Sequence, residues 1–190
     1  GFPNSYNQKT YEISLEPTYR PNDRLLLSFE TFIENSINDI GYVDNTEIED
    51  TIYFGKRNRI DLENTIETRY IFNENMSVNL RLRHYWSTVK YNKYYTLNLD
   101  GTLSDEDEFD AADDINFNYF TIDLGFRWIF APGSELSLVW KNSIFTYNDE
   151  ITNNYLNNLQ KTFDSPQTNS ISLRILYYLD YQYFKNIGRH

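Results

Sequence analysis

Large apolar side chains recur at every second position in seven stretches of the chain, whereas a helical period shows only weakly, between Glu150 and Thr162. Alternate residues of an extended strand point to opposite faces, so this period predicts strands with one apolar and one polar side. The first stretch sets Tyr11, Ile13, Leu15, Pro17 and Tyr19 against Glu12, Ser14, Glu16, Thr18 and Arg20. The second places Leu25, Leu27, Phe29, Thr31 and Ile33 opposite Ser28, Glu30 and Glu34. The third keeps even parity from Ile52 through Ile60, Leu62, Ile66 and Tyr70 to Phe72, with Asp61, Glu63, Glu67 and Arg69 opposite, which predicts one long strand with no turn at Lys56 to Arg59. The fourth aligns Met76, Val78, Leu80, Leu82, His84 and Trp86 against Asn79, Arg81, Arg83 and Ser87.

The fifth stretch is the most regular: Phe120, Ile122, Leu124, Phe126, Trp128 and Phe130 face away from Thr121, Asp123, Gly125 and Arg127. The sixth carries Leu136, Leu138, Trp140 and Ile144 against Ser137, Lys141 and Ser143. The seventh carries Ile171, Leu173, Ile175, Tyr177, Leu179, Tyr181 and Tyr183 against Ser172, Arg174, Tyr178, Asp180 and Gln182. Three connections are tight, at 21 to 23, 73 to 75 and 131 to 134, and have the Asn, Asp, Pro and Gly chemistry of turns. Three long polar ones, near 35 to 50, 99 to 114 and 148 to 166, alternate with them. Short turns at one end and long loops at the other are the arrangement of an antiparallel up-and-down outer-membrane β-barrel, with the short turns and the C-terminus periplasmic.

A water-soluble sandwich also alternates. Against it stand the many charges on the polar sides and the aromatic tips of the apolar ones, as at Tyr11, Tyr70, Phe72, Trp86, Trp128 and Phe130, which resemble interfacial girdles. The expected fold is therefore all-β, a transmembrane barrel of which the 190 residues supply about seven strands. Single-chain bacterial barrels have even strand numbers, and the chain opens at Gly1 with no start Met or signal segment, so a piece of a larger barrel is expected. Leu80, Leu82, Trp86, Ile122, Leu124, Phe126, Trp128, Leu138, Trp140, Leu173, Ile175 and Leu179 are expected to face lipid. Glu12, Glu16, Glu30, Glu34, Glu63, Glu67, Arg81, Arg83, Asp123, Arg127, Lys141, Arg174 and Asp180 are expected to face the lumen. Sorted by strand, the first three supply mostly acids and the last four mostly bases, which predicts a polarised wall.

Composition narrows this picture. A net charge of −11 argues against nucleic acid, which needs a basic face. With 40% hydrophobic and 17% aromatic residues the chain is no disordered segment, although its mean hydropathy is only −0.64, as expected when alternation hides the apolar face. No Cys is present, which excludes disulfides and thiolate chemistry.

The strings RHYWS at 83 to 87, FAPGSELSLVWK at 130 to 141 and SLRILYYLDYQ at 172 to 182 resemble the C-terminal barrel of a Bacteroidota-type family. Its members join an N-terminal domain similar to family 9 carbohydrate-binding modules to an outer-membrane β-barrel of unknown function. The resemblance covers most of the chain and implies outer-membrane lipid as the surroundings. It also implies other outer-membrane or surface proteins as partners, and glycans through an N-terminal domain that this chain lacks. Its motifs are structural and carry no catalytic residue.

Candidate chemistry is sparse. His190 is terminal, and His84 falls on the apolar parity, which suits packing or the lipid interface. A pair of lumen carboxylates could serve a glycosidase, but acids alternating with bases on a wet face keep it polar without catalysis. The acidic run Asp105-Glu106-Asp107-Glu108-Phe109-Asp110, near Asp100, Asp113 and Asp114, lacks the Gly and spacing of a calcium loop and reads as solvated and self-repelling. No cofactor or metal site is expected. A non-catalytic barrel with a transport or scaffold role through its lumen and loops is the leading expectation, and a membrane-anchored surface module binding glycan or protein is the alternative.

Overall fold

The computed structural model describes residues 6–46, 51–107, 109, 114–152 and 154–179. Asp180, Tyr181, Gln182, Tyr183 and His190, and within the acidic run Glu108, Asp110 and Asp113, lie outside the described residues. The elements are β1 (Lys9–Leu15), β2 (Thr18–Tyr19), β3 (Leu25–Thr46), β4 (Thr51–Asn73), β5 (Met76–Leu97), β6 (Leu103–Glu106), β7 (Ile115–Ala131), β8 (Ser134–Asn148), α1 (Tyr155–Phe163) and β9 (Gln167–Leu176). Among the described residues all nine strands form one antiparallel sheet in the order β1-β3-β4-β5-β7-β8-β9, with β2 also on β3 and β6 also on β5. The sheet is open, since β1 and β9 end the path without meeting.

The long third strand is present: β4 runs unbroken through Lys56 to Arg59. The tight turns are there too. Asn22 Oδ1 accepts from the amides of Arg24 and Leu25 at 2.9 and 3.0 Å, Asn73 Oδ1 accepts from Asn75 N at 2.9 Å, and Gly133 takes the left-handed φ of 72° that the β7–β8 turn needs. A helix occupies the stretch with the helical period. Asn154 caps it by accepting from Asn157 N at 3.0 Å.

Four expectations are corrected. Most of the long polar connection near 35 to 50 is strand, because β3 extends to Thr46 and β4 begins at Thr51. Backbone pairing continues there between polar side chains, while register shifts between Ser36 and Asp39, where Asn38 has φ 56°, and between Tyr42 and Asp44 break the alternation by which a strand is recognised. β5 runs to Leu97, up to the connection expected at 99 to 114, through a register shift opposite Lys56 and Arg57. The 99 to 114 connection is partly folded as the hairpin strand β6. The first stretch divides at Glu16–Pro17, where Pro17 offers no amide but its carbonyl still accepts from Phe29 N at 3.0 Å; the seventh stops at Leu176.

The register joins the apolar parities into one continuous face. Ile13 lies opposite Ile33, Ile33 opposite Leu62 and Leu62 opposite Trp86. Leu80, Leu124, Trp140 and Ile171 lie side by side in another row. Little covers this face: Val89, Tyr95, Phe120 and Ile144 are the buried hydrophobic residues among those described. Among the described residues no helix is long and apolar enough to cross a membrane.

Candidate functional site

The strands present the second parity as a wall of charge. One hydrogen-bonded row reads Ser28, Glu67, Arg81, Asp123, Lys141 and Ser170. Opposite charges therefore stand beside one another: Arg81 meets Glu67 at 3.1 Å and Lys141 meets Asp123 at 3.5 Å. Arg83 reaches Glu63 at 3.9 Å, and Arg127 holds Glu135 at 2.7 Å. Glu34 faces both Glu12 and Asp61, a crowding of like charge that Arg59 relieves by pairing with Glu34 and, at 2.9 Å, with Asp61. Glu30 lies opposite Thr65, Arg174 opposite Ser137, and Glu16 in the gap between β1 and β2.

The expected polarisation by strand is thus resolved at the β4–β5 seam, where acids and bases neutralise one another in adjacent pairs. A hollow of about 630 Å³ opens on this side, lined by Ser28, Glu67, Arg69, Arg81, Asp123 and Lys141 among others. A Cβ added to Gly125 would meet nothing within 4 Å.

The residues expected to face lipid lie together on the opposite parity, except Leu179, which follows the end of β9, and none of those described is buried. Leu173, Ile175 and Leu179 are about 60% exposed, at 61%, 60% and 62%. Trp140 donates its indole N–H to Asn169 Oδ1 at 3.0 Å and Trp86 donates to Asn116 Oδ1 at 2.8 Å. His84 is packed and not free. It sits between sheet and helix, its Nδ1 3.1 Å from the Tyr155 hydroxyl and its Nε2 3.2 Å from Asn118 Oδ1. Since Asn118 Oδ1 can only accept, Nε2 carries the proton and Nδ1 accepts from Tyr155, whose oxygen in turn accepts from Asn64 Nδ2 at 3.0 Å. Each group in this chain is satisfied while neutral.

Two groups escaped the sequence reading. The first is the amide cluster under α1: Asn118 and Asn158 exchange hydrogen bonds at 2.5 and 3.2 Å, and Asn116 Nδ2 reaches Glu150 O at 2.9 Å. Its signal was the Asn116-Phe117-Asn118 alternation just before the apolar run of β7. The second is a set of aromatic residues on the charged parity: Tyr85, Phe117, Tyr119, Phe145 and Tyr147. Counting parity beyond Trp86 and Ile144 would have found them.

The described acids of the run stay largely exposed, as expected, but several of them have partners. Asp105 pairs with Lys93 at 2.6 Å, and Asp114 accepts from Tyr91 N at 3.0 Å. Asp100 accepts from the Thr102 hydroxyl and amide at 2.6 and 2.9 Å, which holds its carboxyl below the usual carboxylate range. Among the described residues no three His, Cys, Asp or Glu converge on a metal-sized site.

No curated protein and no solved structure matches the chain. Residues 2–188 match the family described as Domain of unknown function (DUF5916), and the chain belongs to it.

Proposed function

We propose that this chain is wall from an outer-membrane β-barrel, a non-catalytic protein with a transport or scaffold role through its lumen and extracellular loops. The observation that carries the reading is the slant of the apolar band. On the apolar face the run nearest the tight turns ends at Tyr11 on β1, Ile33 on β3, Ile60 on β4, Trp86 on β5, Phe120 on β7, Ile144 on β8 and Ile171 on β9. The row through Tyr11 contains Asn35, Ile60, Thr88, Asn116 and Asn148, so it is mostly polar. The row through Ile171 passes Trp140, Leu124, Leu80, Thr68 and Leu27 to Tyr19, the last apolar residue of β2.

The upper limit of the band at one edge is thus in register with its lower limit at the other, a slip of the eight positions from Tyr11 to Tyr19 over six strand-to-strand steps. At about 3.4 Å per residue and about 4.8 Å per strand the slant is about 43°. Transmembrane barrels tilt their strands by about 35–45° around an apolar band about 25 Å tall. The run from Met76 to Trp86, tilted by that angle, has a height of about 25 Å.

Two further observations support the reading. A soluble sandwich would lay a second apolar layer on this face, and none is present among the described residues. Helix α1 is turned inside out for water: Asn158 and Thr162 are buried against the sheet, while Leu156 is 72% exposed. In this reading the hollowed, charged side is the lumen, the tight turns are periplasmic, and further strands close the barrel on the free edges of β1 and β9. The Bacteroidota-type origin and the separate glycan-binding domain are implications of the resemblance alone.

Reconstituting the full-length protein into lipid vesicles tests the proposal. The expected result is a folded form that resists protease and migrates differently on gels before and after boiling. Protein that stays folded in the aqueous phase and never associates with vesicles would overturn it. Planar-bilayer conductance then separates transport, which requires a pore, from a closed scaffold.

A further inference from the structure

Beyond the ion-pair rows the charged side of the sheet becomes aromatic. Phe32, Tyr85, Tyr119 and Phe145 belong to the same hydrogen-bonded row as Glu63, and Phe117 and Tyr147 to the next, with Asp61. The rings touch edge to face, Tyr85 with Phe117 at 5.6 Å and Phe117 with Phe145 at 5.4 Å between centroids. They are not sealed by one another, because Phe145 and Tyr147 remain 59% and 63% exposed. Farther along the same side of β4, Phe109 stacks on Tyr53 at 3.9 Å and meets the edge of Tyr94 at 5.2 Å. The backbone there is stripped to make room: a Cβ at Gly55 would strike the Tyr91 ring at 2.6 Å, and one at Gly41 the Arg57 guanidinium at 2.3 Å.

The charges among these rings are already paired. Tyr85 donates to Asp61 at 2.7 Å, Arg57 holds Asp39 at 2.9 Å, Arg59 bridges Glu34 and Asp61, and Arg83 meets Glu63. Paired charges leave little net field to select an ion, yet they supply many hydrogen-bonding atoms. A purely apolar solute would displace water from their remaining lone pairs and N–H groups without replacing its hydrogen bonds. The surface is therefore matched by a solute that is neutral, rich in hydroxyls and flat on an apolar side.

We propose that this aromatic belt is a binding track for a neutral oligosaccharide. Pyranose C–H faces lie on Phe117, Phe145 and Tyr147, and sugar hydroxyls bond to the carboxylates and guanidinium groups of Asp61, Glu63 and Arg83. The proposal deepens the barrel reading, on which it rests for the access of solute to this side.

The test uses the full-length protein folded in detergent, with maltohexaose and cellohexaose as probes and a polyethylene glycol of matched size as control, read by intrinsic fluorescence. Saturable binding of at least one hexasaccharide and none of the glycol is expected. The Phe145→Ala/Tyr147→Ala variant should weaken it about tenfold, equivalent to about 1.4 kcal/mol. Phe145→Leu/Tyr147→Leu, which keeps apolar volume but loses the flat ring, should weaken it comparably, with folding checked by circular dichroism. Tyr11→Ala, on the other side of the sheet, should leave it unchanged. Failure of both sugars to bind the folded parent overturns the track, as does equal binding by parent and both double variants. A protein that enters vesicles but binds neither sugar overturns this inference alone. One that binds through these rings yet never enters vesicles overturns the barrel and leaves the track standing.

Discussion

Two halves of the same strands differ in which face is apolar. Near the tight turns, Val78, Leu80, Leu82, Ile122, Leu124 and Phe126 occupy one side, and Arg81, Asp123 and Lys141 the other. Beyond Trp86 and Phe120 the order reverses: Asn116, Asn118, Thr146 and Asn148 take the first side, Phe117, Phe145 and Tyr147 the second. Pairing is continuous through the reversal, so the backbone does not cause it. What changes is the neighbour each side must satisfy. In the lower half the apolar side chains are half-buried or exposed, from Leu80 and Leu124 within the sheet to Trp128 at 40% and Ile171 on its edge at 72%, and among the described residues no second layer covers them. In the upper half, α1 lies on that side and amides bond to amides across the contact. In the proposed barrel, a membrane boundary near Trp86 would account for both halves.

The largest test of this contrast is a charge in the lower half. Leu124→Arg is expected to cost about 2–4 kcal/mol of insertion free energy, the depth-dependent cost of Arg on a lipid face. Thr121→Arg, three positions away on the charged side, should insert almost normally. The measurement is the folded fraction in vesicles. Equal tolerance of the two substitutions would erase the distinction between the faces.

In the upper half, Asn118→Leu removes the partner of both His84 and Asn158 and leaves buried polar groups unmatched, at a cost of about 1–3 kcal/mol. The cost should be local. Faster proteolysis or hydrogen exchange is expected over Tyr155–Phe163, with insertion preserved. Loss of insertion instead would mean that the helix is needed to build the wall.

Weaker still are the charge pairs of the lower half, because solvent screens exposed pairs. Replacing Arg81, Arg83 and Arg127 together by Gln should alter ion selectivity or uptake while assembly is retained. A triple variant that fails to fold, derived from a parent without conductance, would make the pairs an internal plug.

The smallest effect concerns the hairpin beyond β5. Asp100, whose carboxyl is held below its ordinary range by the Thr102 hydroxyl and amide, stabilises the hairpin while ionised. Because the folded group titrates lower than the unfolded one, this support is full above the ordinary carboxylate range and fades as pH falls through the folded value. Protection of the Asn98 and Gly101 amides, which bond within the turn, measured relative to their intrinsic exchange rates, should therefore fall on acidification, and Asp100→Asn should flatten that dependence.

Most of the strands and all three tight turns were legible in the sequence, because alternation and turn chemistry are local: Phe120 to Phe130 needs only its own neighbours to declare a strand, and Asn73 or Gly133 only its own turn. The separation of charged from apolar residues was legible for the same reason. The sequence reading ended where locality ended. Bulges near Asn38 and Asp44 shift the alternation by one residue, so paired strand reads there as loop. The pairing of Arg81 with Glu67, the amide lock on His84 and the meeting of Tyr85, Phe117 and Phe145 join residues that are 14 to 40 positions apart or more, and only strand register decides which of them touch. The slant of the apolar band is also a property of register. Each strand carries its own apolar run in the sequence, but the offset of one run from the next exists only once the backbones are hydrogen-bonded side by side.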